Sequence, residues 1–308
     1  MGSCSLQAID KYIRKFSNLN TARGHNMGSA LTNHRAPHKP FLLLSVIDLF
    51  AQGEIERNFI EPNFDLVSTF NGYWHAIMPF GRTTSMAYPF PRLKRDGFWK
   101  LIPNPGQESR IDMDFSSMVR LREVCAGARL DDDLFELLCS VESRERLRAV
   151  LIEAYFAPEI RPVVAEQGTV NLAAYEYGQK LLHGVKETVD WGEKAPPEKA
   201  GKVRDQGFRK AIVRLYAHRC ALCGIRMVTP EGHTIVEAAH IVPWSETRDD
   251  RPANGLCLCR LCHWSFDEGL MSVGREYEVL VSKRVQSDHN MPGHVLTLHD
   301  RPIFRPKK

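Results

Sequence analysis

Cys220-Ala221-Leu222-Cys223, then Val236-Glu237-Ala238-Ala239-His240-Ile241-Val242-Pro243, then Asn254-Gly255-Leu256-Cys257-Leu258-Cys259-Arg260-Leu261-Cys262-His263-Trp264-Ser265-Phe266-Asp267-Glu268-Gly269 are the segments that decide the fold. Two Cys-x-x-Cys pairs suit one tetrahedral ion, because each pair brings two sulfurs within reach of it. The 35 residues between the pairs exceed a usual zinc-ribbon gap. Strand-like segments at 227–228 and 235–240 flank Pro230-Glu231-Gly232, so a hairpin can fold out and let the pairs meet. Cys220, Cys223, Cys259 and Cys262 are therefore expected to hold a structural Zn²⁺, since four cysteines leave no open coordination position. Cys257 is expected to be buried beside the site, and Trp264 and Phe266 to be core.

The bulk composition agrees with a cytoplasmic protein that binds metal through thiolates. Five of the eight cysteines fall between 220 and 262, and that clustering favours metal over disulfides. No apolar run approaches the length of a membrane span, and the basic N-terminus is followed by no apolar signal core. A net charge of +4 permits polyanion binding without demanding it. The cations bunch at 35–39, 92–95, 204–219 and 305–308.

Working outward, a helix is predicted through Leu6, Ile9, Ile13 and Phe16, followed by a polar, basic loop over 21–40. An apolar helix over 41–52 follows, capped by Gly53. A cationic loop ahead of a helix suits phosphate. Tyr88-Pro89-Phe90-Pro91-Arg92-Leu93-Lys94-Arg95-Asp96-Gly97-Phe98-Trp99-Lys100-Leu101 reads as two short strands about a tight Asp96-Gly97 turn. Its aromatics, prolines and cations suit a surface that grips a backbone. Helices over 130–156 look like scaffold, and another is predicted from Val203 to Cys220. The charged Gly/Pro-punctuated stretch between has linker composition. The expected organisation is a DNA-binding domain over 1–165, a linker with a short helix over 166–202, and a nuclease domain over 203–308.

His240, Asn254 and His263 surround the zinc-stapled unit. One-metal phosphodiester cleavage needs such groups: a metal-free imidazole to take a proton from water, a ligand for a divalent ion on the scissile phosphate, and an amide to fix geometry. Glu237-Ala238-Ala239-His240-Ile241, Asn254-Gly255-Leu256, Cys259-x-x-Cys262-His263 and Phe266-Asp267-x-Gly269 resemble the HNH endonuclease family of the ββα-metal class over about 208–275. The resemblance implies His240 as general base, Asn254 as the residue orienting loop and base, and His263 as ligand of a catalytic Mg²⁺, Mn²⁺ or other divalent ion. Many members carry an Asp or His ligand just before the base, and here that position is Ala239. Glu237, on the same strand face as 239, and Asp267, one turn beyond His263, are the substitutes on offer.

Pro37-His38-Lys39-Pro40-Phe41-Leu42-Leu43-Leu44 and Tyr88-Pro89-Phe90-Pro91-Arg92-Leu93-x-x-Asp96-Gly97-x-Trp99 are similar to the sulfur-binding domain found before HNH domains in phosphorothioate-dependent restriction endonucleases. That resemblance implies Arg35, His38, Lys39, Tyr88, Pro89 and Arg92 as DNA contacts. The expected fold class is α+β: an α+β DNA-reading domain, then a zinc-stapled ββα-metal nuclease. The expected function is metal-dependent cleavage of double-stranded, phosphorothioate-modified DNA in restriction or phage defence, with a homodimer as one way to cut both strands and with no membrane partner. Open alternatives are an HNH enzyme reading methylated or unmodified DNA, an RNA- or structure-specific nuclease, and a non-catalytic zinc module that only binds DNA.

Overall fold

The computed structural model describes residues 2–24, 28–184, 197–286 and 293–306. The chain divides into two compact units, Met1–Leu172 with Pro230–Gly232, and Ala173–Thr229 with His233–Lys308. Each has its own apolar core. Among the described residues, no helix is long and apolar enough to cross a membrane.

In the first unit, α1 (Gly2–Ser17) packs against α7 (Val141–Tyr155), and α2 (His38–Ala51) lies between α3 (Phe64–Ile77), α6 (Asp132–Cys139) and α7. Every residue of α2 from Lys39 to Phe50 is buried. A helix apolar on all sides has no solvent face and becomes the centre of its domain. Two of its polar residues, Ser45 and Asp48, are satisfied within this unit. Ser45 Oγ donates to the Phe41 carbonyl at 2.7 Å. Asp48 accepts from Arg148 at 2.6 Å, Tyr73 at 2.9 Å and Asn171 at 2.8 Å. Burial pushes the Asp48 carboxyl up, and Arg148 opposes that push.

The expected two-stranded turn at Asp96-Gly97 is a different structure. Residues before it are helical: α4 (Pro89–Arg92) runs into a 3-10 turn over Leu93–Asp96, and Gly97 ends that turn at φ 73. Two prolines fix the backbone for a helix start and withhold strand N–H donors, so the segment before the turn is not a strand. One strand follows, β1 (Trp99–Pro103), paired antiparallel with β2 (Cys125–Leu130) in the register Trp99↔Leu130. Short α5 (Met118–Val124) lies between them in sequence. Phe98 and Trp99 are both buried while Lys100 is exposed.

The expected linker holds more helix than its composition suggests. The short helix near 172–182 is the end of α8 (Arg161–His183), and α9 (Pro197–Leu215) begins within the expected linker. Residues 185–196 lie outside the described residues, as do 25–27 of the basic loop.

In the second unit, α9 lies on the antiparallel pair β3 (Val236–His240) and β4 (Gly255–Cys259), in the register Val236↔Cys259 and His240↔Gly255. The short α10 (Trp244–Thr247) sits in the connection, and α11 (Arg260–Asp267) leaves directly from β4. All five β4 residues are buried. Gly255 lets α9 approach closely, because a Cβ there would crowd the Ile212 side chain and the Phe208 ring of that helix. A second antiparallel pair, β5 (Met271–Val273) and β6 (Val279–Val281), then α12 (Lys283–Gln286), complete the unit.

Candidate active site and metal centre

The first Cys pair sits on a tight knuckle: the Cys220 N–H bonds the Ile225 carbonyl at 2.9 Å, and Gly224 adopts φ 78. The second pair straddles the β4–α11 junction, with Cys259 ending the strand and Cys262 in the first helical turn. All four sulfurs lie within 4.8 Å of one another, and Cys223 Sγ is 3.7 Å from Cys259 Sγ. Four thiolates at about 2.3 Å from one ion are separated by about 3.8 Å along a tetrahedral edge, whereas a disulfide needs about 2.05 Å. The quartet therefore fits a zinc staple. Cys257 is buried outside it, and burial pushes its thiol up to about 12.

His240 ends β3 and lies face to face with the Phe208 ring of α9, at 4.0 Å between centroids and 4° between planes. Its Nε2 is 2.8 Å from Asp250 Oδ1. Asp250 is buried, and its other oxygen accepts the Tyr177 hydroxyl at 2.7 Å, with Arg204 Nε at 3.8 Å. Burial first, then the bond to Asp250, pushes the Tyr177 phenol well up, so it remains the proton donor.

Asn254 is also buried and bonds only backbone. Its Oδ1 accepts from the Val242 N–H at 2.8 Å, and its Nδ2 donates to the Val242 and Asp249 carbonyls at 3.0 and 2.9 Å. The loop leaving His240 and the loop arriving at Asp250 are thus tied to one amide. Those hydrogen bonds go to backbone and not to the His240 or Asp250 side chain.

His263, on the first turn of α11, stands between two carboxylates. Glu237 Oε2 is 3.6 Å from Nδ1, and Asp267 Oδ2, one turn further along α11, is 3.6 Å from Nε2. The two acids approach opposite ring nitrogens. Among the described residues only the cysteine quartet brings three or more ligand atoms within 4.8 Å of one another. One imidazole nitrogen and one carboxylate, with the remaining positions open to solvent, still form a mixed nitrogen and oxygen donor set that can take a divalent ion. Trp264 is 56% exposed and not core as expected: on the eight-residue α11 it faces away from the cysteines, while Phe266 packs inward.

In the first unit, His38, Trp74, Tyr88 and Arg92 are neighbours. The His38 ring is 4.9 Å from Trp74 and edge-on to Tyr88 at 6.3 Å, and the Arg92 guanidinium lies 5.9 Å from the Tyr88 ring centre. Burial, with a smaller push from Arg92, lowers His38 to about 4, so its imidazole is neutral at pH 7. Pro89 is buried beneath, and Arg92 also reaches Asp114 at 3.1 Å. Lys39, expected as a DNA contact, points inward to Asp96 at 2.6 Å, and both side chains are under a tenth exposed. At the start of an all-buried helix it has no route to solvent. Arg35 stacks on Tyr155 at 4.5 Å and donates to Thr21 and the Leu19 carbonyl.

Asp250, Tyr177 and Arg204 had no motif to reveal them. Asp250 is half of an acidic pair in a polar loop, Tyr177 lies in the expected linker, and Arg204 is one of several cations along α9.

Two family sequence models match the chain. One model, described as HNH endonuclease, matches residues 220–274, which contain the cysteine quartet, His240, Asn254 and His263. Another, described as ScoMcrA-like, DNA sulfur-binding domain, matches residues 9–168. A search among curated proteins finds none that matches. The second match covers more than half of the chain, so the protein belongs to the ScoMcrA-like DNA sulfur-binding-domain family and carries an HNH endonuclease domain behind that module.

Proposed function

We propose that the protein is a metal-dependent endodeoxyribonuclease that restricts phosphorothioate-modified DNA. The observation carrying this reading is the succession, on one chain, of a sulfur-binding module and an HNH endonuclease domain. The neutral His38 and the Tyr88 ring supply an apolar face, the buried Pro89 backs it from inside in place of the expected direct contact, and Arg92 supplies an adjacent cation. A backbone sulfur is polarizable and poorly hydrated, so an uncharged face beside a cation suits it better than a cluster of ammonium groups. Arg35 is the second backbone contact, and Lys39 contributes by anchoring the Asp96 turn from inside.

In cleavage, His240 takes the proton of the attacking water and Asn254 holds the loop that aims it. His263, with Glu237 or Asp267, holds the divalent ion. That ion, when bound, stabilises the charge developing on the phosphate and the leaving 3′ oxygen. Hydrolysis of this kind leaves 5′-phosphate and 3′-hydroxyl ends. Two copies acting on opposite strands would cut a duplex through, which sizing of the protein with DNA would show.

The test is cleavage of phosphorothioate-modified, methylated and plain plasmid with Mg²⁺ or Mn²⁺. Modified DNA alone should be cut, and His240→Ala should abolish cutting. Equal cutting of all three plasmids would remove the sulfur specificity, and equal activity of wild type and His240→Ala would remove the catalytic assignment.

A further inference from the structure

We infer that Asp250 is a positioning residue for His240, and that Tyr177 holds Asp250 in the orientation this requires. The inference rests on His240 being the general base and adds how that base is set for its task. A carboxylate can only accept, so the 2.8 Å contact places the imidazole proton on Nε2. Nδ1 is left with the free lone pair, and it is the atom that can take a proton from water. The flat stack on Phe208 blocks rotation of the ring out of that contact.

Three further observations say that the carboxylate is built in. First, Asp250 is 7% exposed, and a buried charge persists only where it is paired and hydrogen-bonded. Both of its oxygens are engaged, Oδ1 by His240 and Oδ2 by Tyr177 with Arg204 beyond. Second, Tyr177 sits on α8, so the donor arrives from an element remote in sequence, 73 residues away. Third, Asn254 ties Val242 to Asp249, which brings the residue beside Asp250 back against the loop that follows His240. Asp249 is engaged differently: it forks with the exposed Arg251 and contributes only through space to the field at His240. Asn254 and Asp250 therefore divide the task, the amide setting the backbone and the carboxylate setting the ring.

Asp250→Asn keeps the shape but lets an amide N–H face Nε2, which moves the imidazole proton to Nδ1 and removes the base. The expected result is a fall in kcat of about 10²-fold or more with KM changed by less than about threefold. Tyr177→Phe should lower kcat by a smaller factor, about 3- to 10-fold, in the same pattern. The second readout needs no substrate: ¹⁵N NMR of histidine-labelled, zinc-loaded full-length protein, with His240 assigned by its loss in His240→Gln. Wild type should show His240 as the neutral Nε2–H tautomer, and Asp250→Asn should lose that preference at unchanged zinc content.

Wild-type kcat and an unchanged tautomer in a folded Asp250→Asn would overturn the inference. If Asp250→Asn does not fold, Asp250→Ser is read by the same two measurements with the same consequence, and wild-type kcat in a folded Tyr177→Phe would remove the part assigned to Tyr177. If His240→Ala proves as active as wild type, the base assignment fails on its own, while the tautomer still reports whether Asp250 sets the ring.

Discussion

His38 shows how one side chain changes character with its surroundings. In sequence it is one of several cationic or near-cationic groups before an apolar helix, but burial against Trp74 leaves it neutral. Its folded-state pKa is about 4, below the ordinary value of 6.5. Folding therefore favours the neutral form, and the stability this contributes is present above pH 6.5 and lost as pH falls towards 4. Wild type should lose about 1–2 kcal/mol more than His38→Gln between pH 7 and pH 5, read by urea denaturation. Parallel pH dependence in the two proteins would contradict a neutral, half-buried His38. Lys39 beside it shows the opposite outcome, a buried charge kept by its partner. Asp96→Ala should destabilise the first unit by about 3 kcal/mol because an ammonium is left buried and unpaired, and the double change Lys39→Met, Asp96→Ala should recover much of that loss. Thermal melts of the three proteins measure it.

At the level of elements, α2 and the β3–β4–α11 unit were legible in sequence for different reasons. A run of ten nearly uninterrupted apolar residues can only be a core helix here, and α2 begins three residues earlier than its apolar run because His38 and Lys39 also pack. The ββα unit was legible because metal ligands must recur at fixed spacing. The segment 88–97 was misread because proline and aromatic composition is shared by edge strands and helix starts, and only packing decides between them. Close packing also governs Gly255. Gly255→Ala should push α9 off β4 and lower stability by about 1–3 kcal/mol, together with nuclease activity, since Phe208 of α9 carries the stack on His240. Unchanged stability of that variant would mean that Ile212 can move aside.

On the scale of the whole chain, two separate cores imply two separable stabilities. The second unit is small and ties its knuckle to the β4–α11 junction through four cysteines. Stripping zinc with a strong chelator, or replacing Cys262 by Ser, should lower its melting transition and leave that of Met1–Leu172 in place, as followed by calorimetry. A single transition that shifts as one would show instead that the two units melt together.

What the sequence determined by itself was chemistry that is written locally. Cysteine pairs, a His–Asn–His order and a buried apolar run carry their meaning in spacing, because ligand geometry and helical periodicity act over a few residues. The resemblance of both halves to known families rested on the same short motifs. Only the tertiary structure decided which polar groups are paired. It turned Lys39 inward to Asp96, set Glu237 and Asp267 on opposite nitrogens of His263, and brought Asp250 to His240 with Tyr177 behind it. Those pairings depend on distances between residues far apart in the chain, and the cost of burying an unpartnered charge selects them only once the core has formed.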